Sequence, residues 1–298
     1  MPGRIVVLGS ANMDLVVRQP RRAEPGETVF GTSFRSGPGG KGLNQAVAAS
    51  RAGAEVAFIG AVGDDAFGVQ LRAALVAEGV GVSHLRTVAA PTGVALITVT
   101  DDGENAITVV PGANDDAALH DADRVLIAEA SHLVVQLERP RALVIDALRF
   151  ARAQGVTTVL TPAPADRGME DLVELADILV PNEGEALSLS GERDAEAAAV
   201  ALSRAAGLII LTRGADGALV AERGGILSHV GARAATVVDT TAAGDTFTGV
   251  LVAGRAAGRS LEASLDAAAT AAAIAVARPG AVASLPTGAE IDAALAGR

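Results

Sequence analysis

In the segment "DTTAAGDTFTG" (residues 239–249) three small residues, Ala242, Ala243 and Gly244, come just before Asp245. Phe247, Val250 and Leu251 recur at helical spacing, so the spacing predicts a turn running into a helix. Side chains this small leave the first N–H groups of a helix uncovered. Such a start attracts anions, because the unsatisfied amides and the helix dipole carry the same sign. A carboxylate in that first turn could take a proton from an attacking hydroxyl. The amides could meanwhile hold charge developing on a transferred phosphoryl group. The plainer alternative is that Asp245 only favours the helix dipole, worth roughly 0.3–1 kcal/mol.

Other polar clusters sit near apolar runs. In "SGPGGKGLN" (36–44), Gly37, Gly39 and Gly42 match G-x-G-x-x-G and open a helix. A dinucleotide fingerprint should follow the first strand directly, and "VVLGS" is followed by "ANMD" instead. Lys41 is followed by Gly42 rather than Ser or Thr, so this is no P-loop either. Adjacent glycines would let a ligand approach the backbone, with Lys41 and Asn44 reaching its oxygens; a tight turn is the alternative. In "SANMD" (10–14), Asn12 and Asp14 would share one face of an extended chain and could accept from sugar-like hydroxyls, or could be turn residues. Glu138, Asn182, Glu183 and Glu185 lie at strand ends, where α/β sites form, and could equally be caps. "LTRGADGA" (211–218) suits a nucleotide loop or a simple hairpin.

These residues need a frame. Strand patterns fall at 4–10, 55–63, 132–138, 156–164, 177–183 and 207–214, and helical patterns at 42–54, 65–79, 140–154 and 194–206. The alternation predicts an α/β fold, a mostly parallel sheet with helices on both faces. Residues 14–37 and 93–110 break the rhythm with short β runs around "EPGE" and "DDGEN". They predict a small separate β layer over the site, or a pair of edge hairpins.

Composition removes several classes. The chain has 298 residues and a net charge of −11, so a polyanion such as nucleic acid is a poor partner. With no Cys there is no thiolate catalysis and no Cys metal site, and the four His residues form no helical ligand pair. The stretch at 267–277 is too short to span a bilayer and the N-terminal apolar run too short for a signal core, so a soluble cytoplasmic protein is expected.

"DTTAAGDTFTG" resembles the C-terminal signature of the ribokinase family, within the phosphofructokinase-B-like sugar and nucleoside kinases. "GGKGLNQAVAASRAGA" with "FIGAVGDDAFG" resembles its N-terminal signature. Shorter pieces match in order, among them "GSANMD", "TGVALI", "GAN", "QLE", "PNEGEA", "LTRGADGA" and "AAAIAVARPGA", so the likeness covers nearly the whole chain. The resemblance implies a ribokinase-like three-layer α/β sandwich in one domain (1–298), with a small β lid from about 12–38 and 91–113. It implies phosphoryl transfer from Mg-ATP to the 5-hydroxyl of D-ribose, and a homodimer formed through the lid. By match to the motifs, Asp245 would be the general base, and Ala242, Ala243, Gly244 and Asp245 the anion hole. Asn12, Asp14, Gly40, Lys41, Gly42, Asn44 and Glu138 would hold the sugar. Asn182, Thr212, Arg213, Gly214, Ala215, Asp216, Gly217, Gly244 and Ala269 would line the ATP site, with Glu185 near Mg²⁺. An activating K⁺ would sit by Asp239, Thr241, Ala275, Arg278, Gly280 and Ser284.

Ala269 stands where the family often has His or Asn beside the adenine. The chain has no Trp or Tyr, so the base must rest on aliphatic side chains. The competing readings are a sibling kinase for another sugar or a nucleoside, an NAD-dependent oxidoreductase using "GPGGKG", and a non-catalytic sugar sensor.

Overall fold

The computed structural model describes residues 3–165 and 168–297. The first half runs β1 (Ile5–Leu8), β2 (Asn12–Gln19), β3 (Ser33–Gly39), α1 (Lys41–Arg51), β4 (Val56–Gly63), α2 (Ala66–Ala77), β5 (Gly81–Val88), β6 (Gly93–Thr100), β7 (Asn105–Val110), α3 (Asp121–Ala128), β8 (His132–Gln136) and α4 (Arg141–Ala153). The second half runs β9 (Thr157–Thr161), α5 (Glu170–Val173), β10 (Ile178–Leu179), α6 (Glu183–Ser190), α7 (Ala195–Leu202), β11 (Leu208–Thr212), β12 (Ala218–Glu222), β13 (Gly225–Val230), α8 (Ala243–Ala256), α9 (Leu261–Val276) and α10 (Gly288–Ala296).

Nine strands form one sheet in the order β13-β12-β11-β10-β9-β8-β1-β4-β5, parallel from β11 to β5 and antiparallel at β12 and β13. In β1 every residue is buried, and the pleat divides them: Ile5 and Val7 pack into one core, Val6 and Leu8 into the other. The first core holds α1, α2, α8 and α9, and the second holds α3, α4 and α7, giving three layers. This is the α/β sandwich expected from the alternating patterns.

The second sheet has the order β3-β2-β6-β7, with β2 and β6 parallel at its centre and antiparallel strands outside. The parallel centre rules out two independent edge hairpins. "DDGEN" is the turn of the β6–β7 hairpin, whereas "EPGE" lies in the connection between β2 and β3. Sequence periodicity missed β5, β12 and β13, and predicted for 177–183 a longer strand than the two residues of β10.

Candidate active site

The α8 start is built as its sequence implies. Ala242 has no side chain able to cap the helix, so the first-turn amides of Gly244 and Asp245 are left aimed outward along the helix axis. Ala242 itself is left-handed, with φ 60, a conformation costing a non-glycine residue roughly 1–3 kcal/mol. Strain at this point turns the chain sharply into the helix.

Asp245 is buried, and α1 grips both of its oxygens. Asn44 Nδ2 donates to Oδ2 at 3.0 Å and Gln45 Nε2 to Oδ1 at 2.9 Å. Gln45 is held in turn by Gln136 Nε2, which donates to its Oε1 at 2.6 Å. These bonds need α1 and α8 to lie close. Gly249 provides the room, since a Cβ there would fall 2.6 Å from the Ala48 Cβ and from the Gln45 carbonyl oxygen.

Beside Asp245 the small sheet contributes Asn12 and Asp14 from the same face of β2, with buried Met13 between them. Asn12 is fixed by Asn114, whose Nδ2 donates to its Oδ1 at 2.7 Å. Glu138, just after β8, accepts from Ser10 Oγ at 2.6 Å and from the Lys41 backbone N–H at 3.3 Å. Asp14 is driven up from 3.8 to about 7, by burial first and then by the charges of Glu138 and Asp245, against the opposing pull of Arg35. Gly40 precedes α1 with φ 92. Gly42 packs against the backbone after β1, where a Cβ would lie 2.6 Å from Gly9 Cα.

In front of the α8 start, a cavity of about 200 Å³ is lined by Lys41, Asn182, Glu185, Thr240 and residues 242–245. Lys41 thus lines this cavity while its backbone N–H points to Glu138. Burial works against its charge, but Asp245, Glu138 and Glu185 outweigh it and raise its pKa, so it stays cationic. Asn182 and Glu185 cap α6 reciprocally: Asn182 Oδ1 accepts from the Glu185 N–H at 2.8 Å and Glu185 Oε2 from the Asn182 N–H at 2.9 Å. Burial raises the Glu185 pKa, and Lys41 opposes it. Glu183 is exposed on the same helix and does not line the cavity.

A second cavity of about 540 Å³ shares Thr212, Thr240, Ala243 and Gly244 with the first and extends along α9. Gly214, Ala215, Gly217 and Ala269 line it, whereas Arg213 and Asp216 do not. "LTRGADGA" is thus both the turn of the antiparallel β11–β12 hairpin and a cavity wall.

The Asp239 loop closes the far side. Asp239 accepts from the Thr241 N–H and Oγ1–H at 3.0 and 2.6 Å and from the Gly280 N–H at 2.9 Å. Arg35 of β3 lies 3.6 Å from its carboxylate. Ala275 and Ser284 are buried nearby in sequence, and Arg278 pairs with Glu290 of α10 at 2.5 Å. Among the described residues, no group of three or more His, Asp or Glu could by itself hold a metal ion, and no helix is long and apolar enough to cross a membrane.

The chain matches the description "pfkB family carbohydrate kinase" over residues 3–288. The chain belongs to the pfkB family of carbohydrate kinases. It is 38% identical over 296 residues to the ribokinase of Haemophilus influenzae, covering 95% of both chains. It is 40% identical over 306 residues to the ribokinase of Schizosaccharomyces pombe, covering 97% of this chain and 96% of that one. Its backbone superimposes with a TM-score of 0.92 on the Arabidopsis thaliana ribokinase complexed with ribose and ATP, at 31% identity and 99% coverage of each.

Several groups at the centre of the site were not singled out from the sequence: Ser10, Gln45, Asn114 and Gln136. Asn114 and Gln136 lie in the short matching pieces "GAN" and "QLE", and Gln45 directly follows Asn44 in the N-terminal signature. Adjacency to a motif was the available signal. That two amides would reach one carboxylate depends on helix packing that spacing alone does not give.

Proposed function

We propose that the chain phosphorylates the 5-hydroxyl of D-ribose with ATP, and that Asp245 is the general base. The observation carrying this reading is one buried carboxylate, clamped by Asn44 and Gln45, at an uncapped helix start that lines a polar cavity and adjoins a second, largely apolar one. The sugar rests against Asn12, Asp14 and Glu138, whose oxygens accept its hydroxyl protons. The reacting hydroxyl gives its proton to Asp245 and its oxygen attacks the γ-phosphorus in line. The bond from that phosphorus to the bridging oxygen breaks, and the electron pair leaves with ADP. Lys41 and the amides of residues 242–245 hold the charge on the transferring group.

The residues present fit Mg²⁺, which is commonly held by one or two carboxylates, water and substrate phosphates. One Glu185 oxygen caps α6, leaving the other for a water-bridged contact in the phosphate-side cavity. The ion would supply charge neutralisation on the phosphates. A hard monovalent cation such as K⁺ would sit beside the Asp239 carboxylate, which would supply the negative charge, with backbone carbonyls of the adjoining 275–284 segment as further oxygen ligands. The outer face of the small sheet carries exposed Phe34, Leu96 and Val110, and a second copy of the chain would cover it as a homodimer through this lid. Light scattering showing a monomer at micromolar concentration would contradict that assembly.

A sugar panel with ATP, with and without K⁺, tests the substrate. Ribose is expected to give the highest kcat/KM, raised by K⁺. A large preference for deoxyribose, fructose or a nucleoside would move the assignment to a sibling kinase.

A further inference from the structure

The nucleotide-side cavity is lined mostly by small residues, with Ala232, Ala234 and Ala235 on the segment after β13 and Ala269, Ala272 and Ala273 on α9; Val237, Phe247 and Val276 are its larger apolar members. One long charged side chain lines it, Arg233. Its guanidinium is ion-paired to Asp266. Asp266, Ala269 and Ala273 stand at i, i+3 and i+7, so the anchoring carboxylate belongs to the stripe of α9 that forms the cavity wall. Arg233 Nε is buried and makes no hydrogen bond among the described residues. An arginine whose plane is fixed at one edge, in a cavity otherwise lined by small and apolar side chains, is suited to stack on a flat ring.

We propose that Arg233, held by Asp266, is the platform on which the purine base of the nucleotide rests, and so determines nucleotide affinity in this chain. The inference rests on the kinase reading above for the identity of the cavity's ligand. With Ala269 small and Trp and Tyr absent from the chain, Arg233 joins Phe247, the aromatic side chain that also lines the cavity, in offering a surface for a π-face. The guanidinium stacks on the ring, and the alanines of α9 exclude water around it. Stacking uses the π-face that all purines share, so Arg233 raises affinity without selecting adenine over guanine. It does not touch the phosphates, which lie at the α8 start.

ADP binding to the full chain, measured by calorimetry with Mg²⁺ and without sugar, tests this independently of turnover. Arg233→Ala should weaken ADP binding about three- to thirtyfold, the span of a cation–π contact from exposed to desolvated. GDP should lose affinity by the same factor, and pyrophosphate should bind as to the wild type. Arg233→Lys, which keeps the charge and loses the plane, should stay within about twofold of Arg233→Ala. Asp266→Asn, which leaves Arg233 in place without its anchor, should weaken ADP less than Arg233→Ala does and provides a second variant if the first does not fold. Unchanged ADP affinity in folded Arg233→Ala overturns the proposal, as does an equal loss for pyrophosphate. Wild-type protein that binds ADP but phosphorylates no sugar would refute the kinase reading while leaving the Arg233 result standing.

Discussion

Asp14 should make sugar binding depend on pH near neutrality. Its carboxyl is driven to about 7 by burial and by the facing Glu138 and Asp245, with Arg35 of β3 opposing them. As an acceptor of sugar hydroxyls it must be ionised, and apparent affinity scales with the competent fraction. About a tenth is ionised at pH 6, about half at pH 7 and about nine-tenths at pH 8, so ribose should bind roughly tenfold more weakly at pH 6 than at pH 8. Calorimetry without nucleotide avoids titration of the ATP phosphates. Repeating it at pH 7 in buffers of different ionisation heat should show release of about half a proton per ribose bound. Stability follows with the opposite sense from an ordinary salt-bridged carboxylate. The folded value lies above the ordinary 3.8, so the native state holds the extra proton between the two values. Stability contributed by this group therefore falls as pH rises from about 4 to about 7, by up to roughly 4 kcal/mol. Asp14→Asn should raise Tm more at pH 8 than at pH 5 and leave ribose affinity weak and independent of pH. A wild-type ribose Kd that is flat from pH 6 to pH 8 would refute this reasoning.

Two substitutions test the clamp on Asp245. Gly249→Ala puts a methyl group against Ala48 and the Gln45 carbonyl and should cost about 1–3 kcal/mol of stability while prising α1 from α8, read as a lower denaturation midpoint together with a reduced kcat. Gln45→Met removes the 2.9 Å bond to Asp245 and strands Gln136, so kcat should fall about ten- to hundredfold, matching 1.5–3 kcal/mol for a bond to a charged group, with the ribose Kd nearly unchanged. Wild-type kcat in folded Gln45→Met would mean the clamp does not matter to catalysis.

The layered sheet was legible because buried parallel strands read as apolar runs, as in "RIVVLGS" and "GLIILTRG", separated by helical patterns. β5 and β13 escaped because both lie at sheet edges with polar residues that are exposed, such as Ser83 and His229, or partly so, such as His84, which blur any period. β10 was overread because "DILVPNE" is apolar for only three residues before Pro181, which ends pairing early. At the site, Asn12 and Asp14 could be read as sharing one face because a strand alternates strictly. The close approach at Gly249 could not, because it depends on which two helices pack together. Nor could the placement of Lys41 on the phosphate side, because a long side chain at a helix start can reach either cavity.

The most direct measurement is the turnover of ATP with ribose by the wild type and by Asp245→Asn, with ribose affinity measured in parallel. General-base catalysis contributes about a hundred- to ten-thousandfold, so kcat should fall by that factor while the ribose Kd changes little. Asp245→Asn that folds, binds ribose and turns over at close to the wild-type rate would contradict Asp245 as the base.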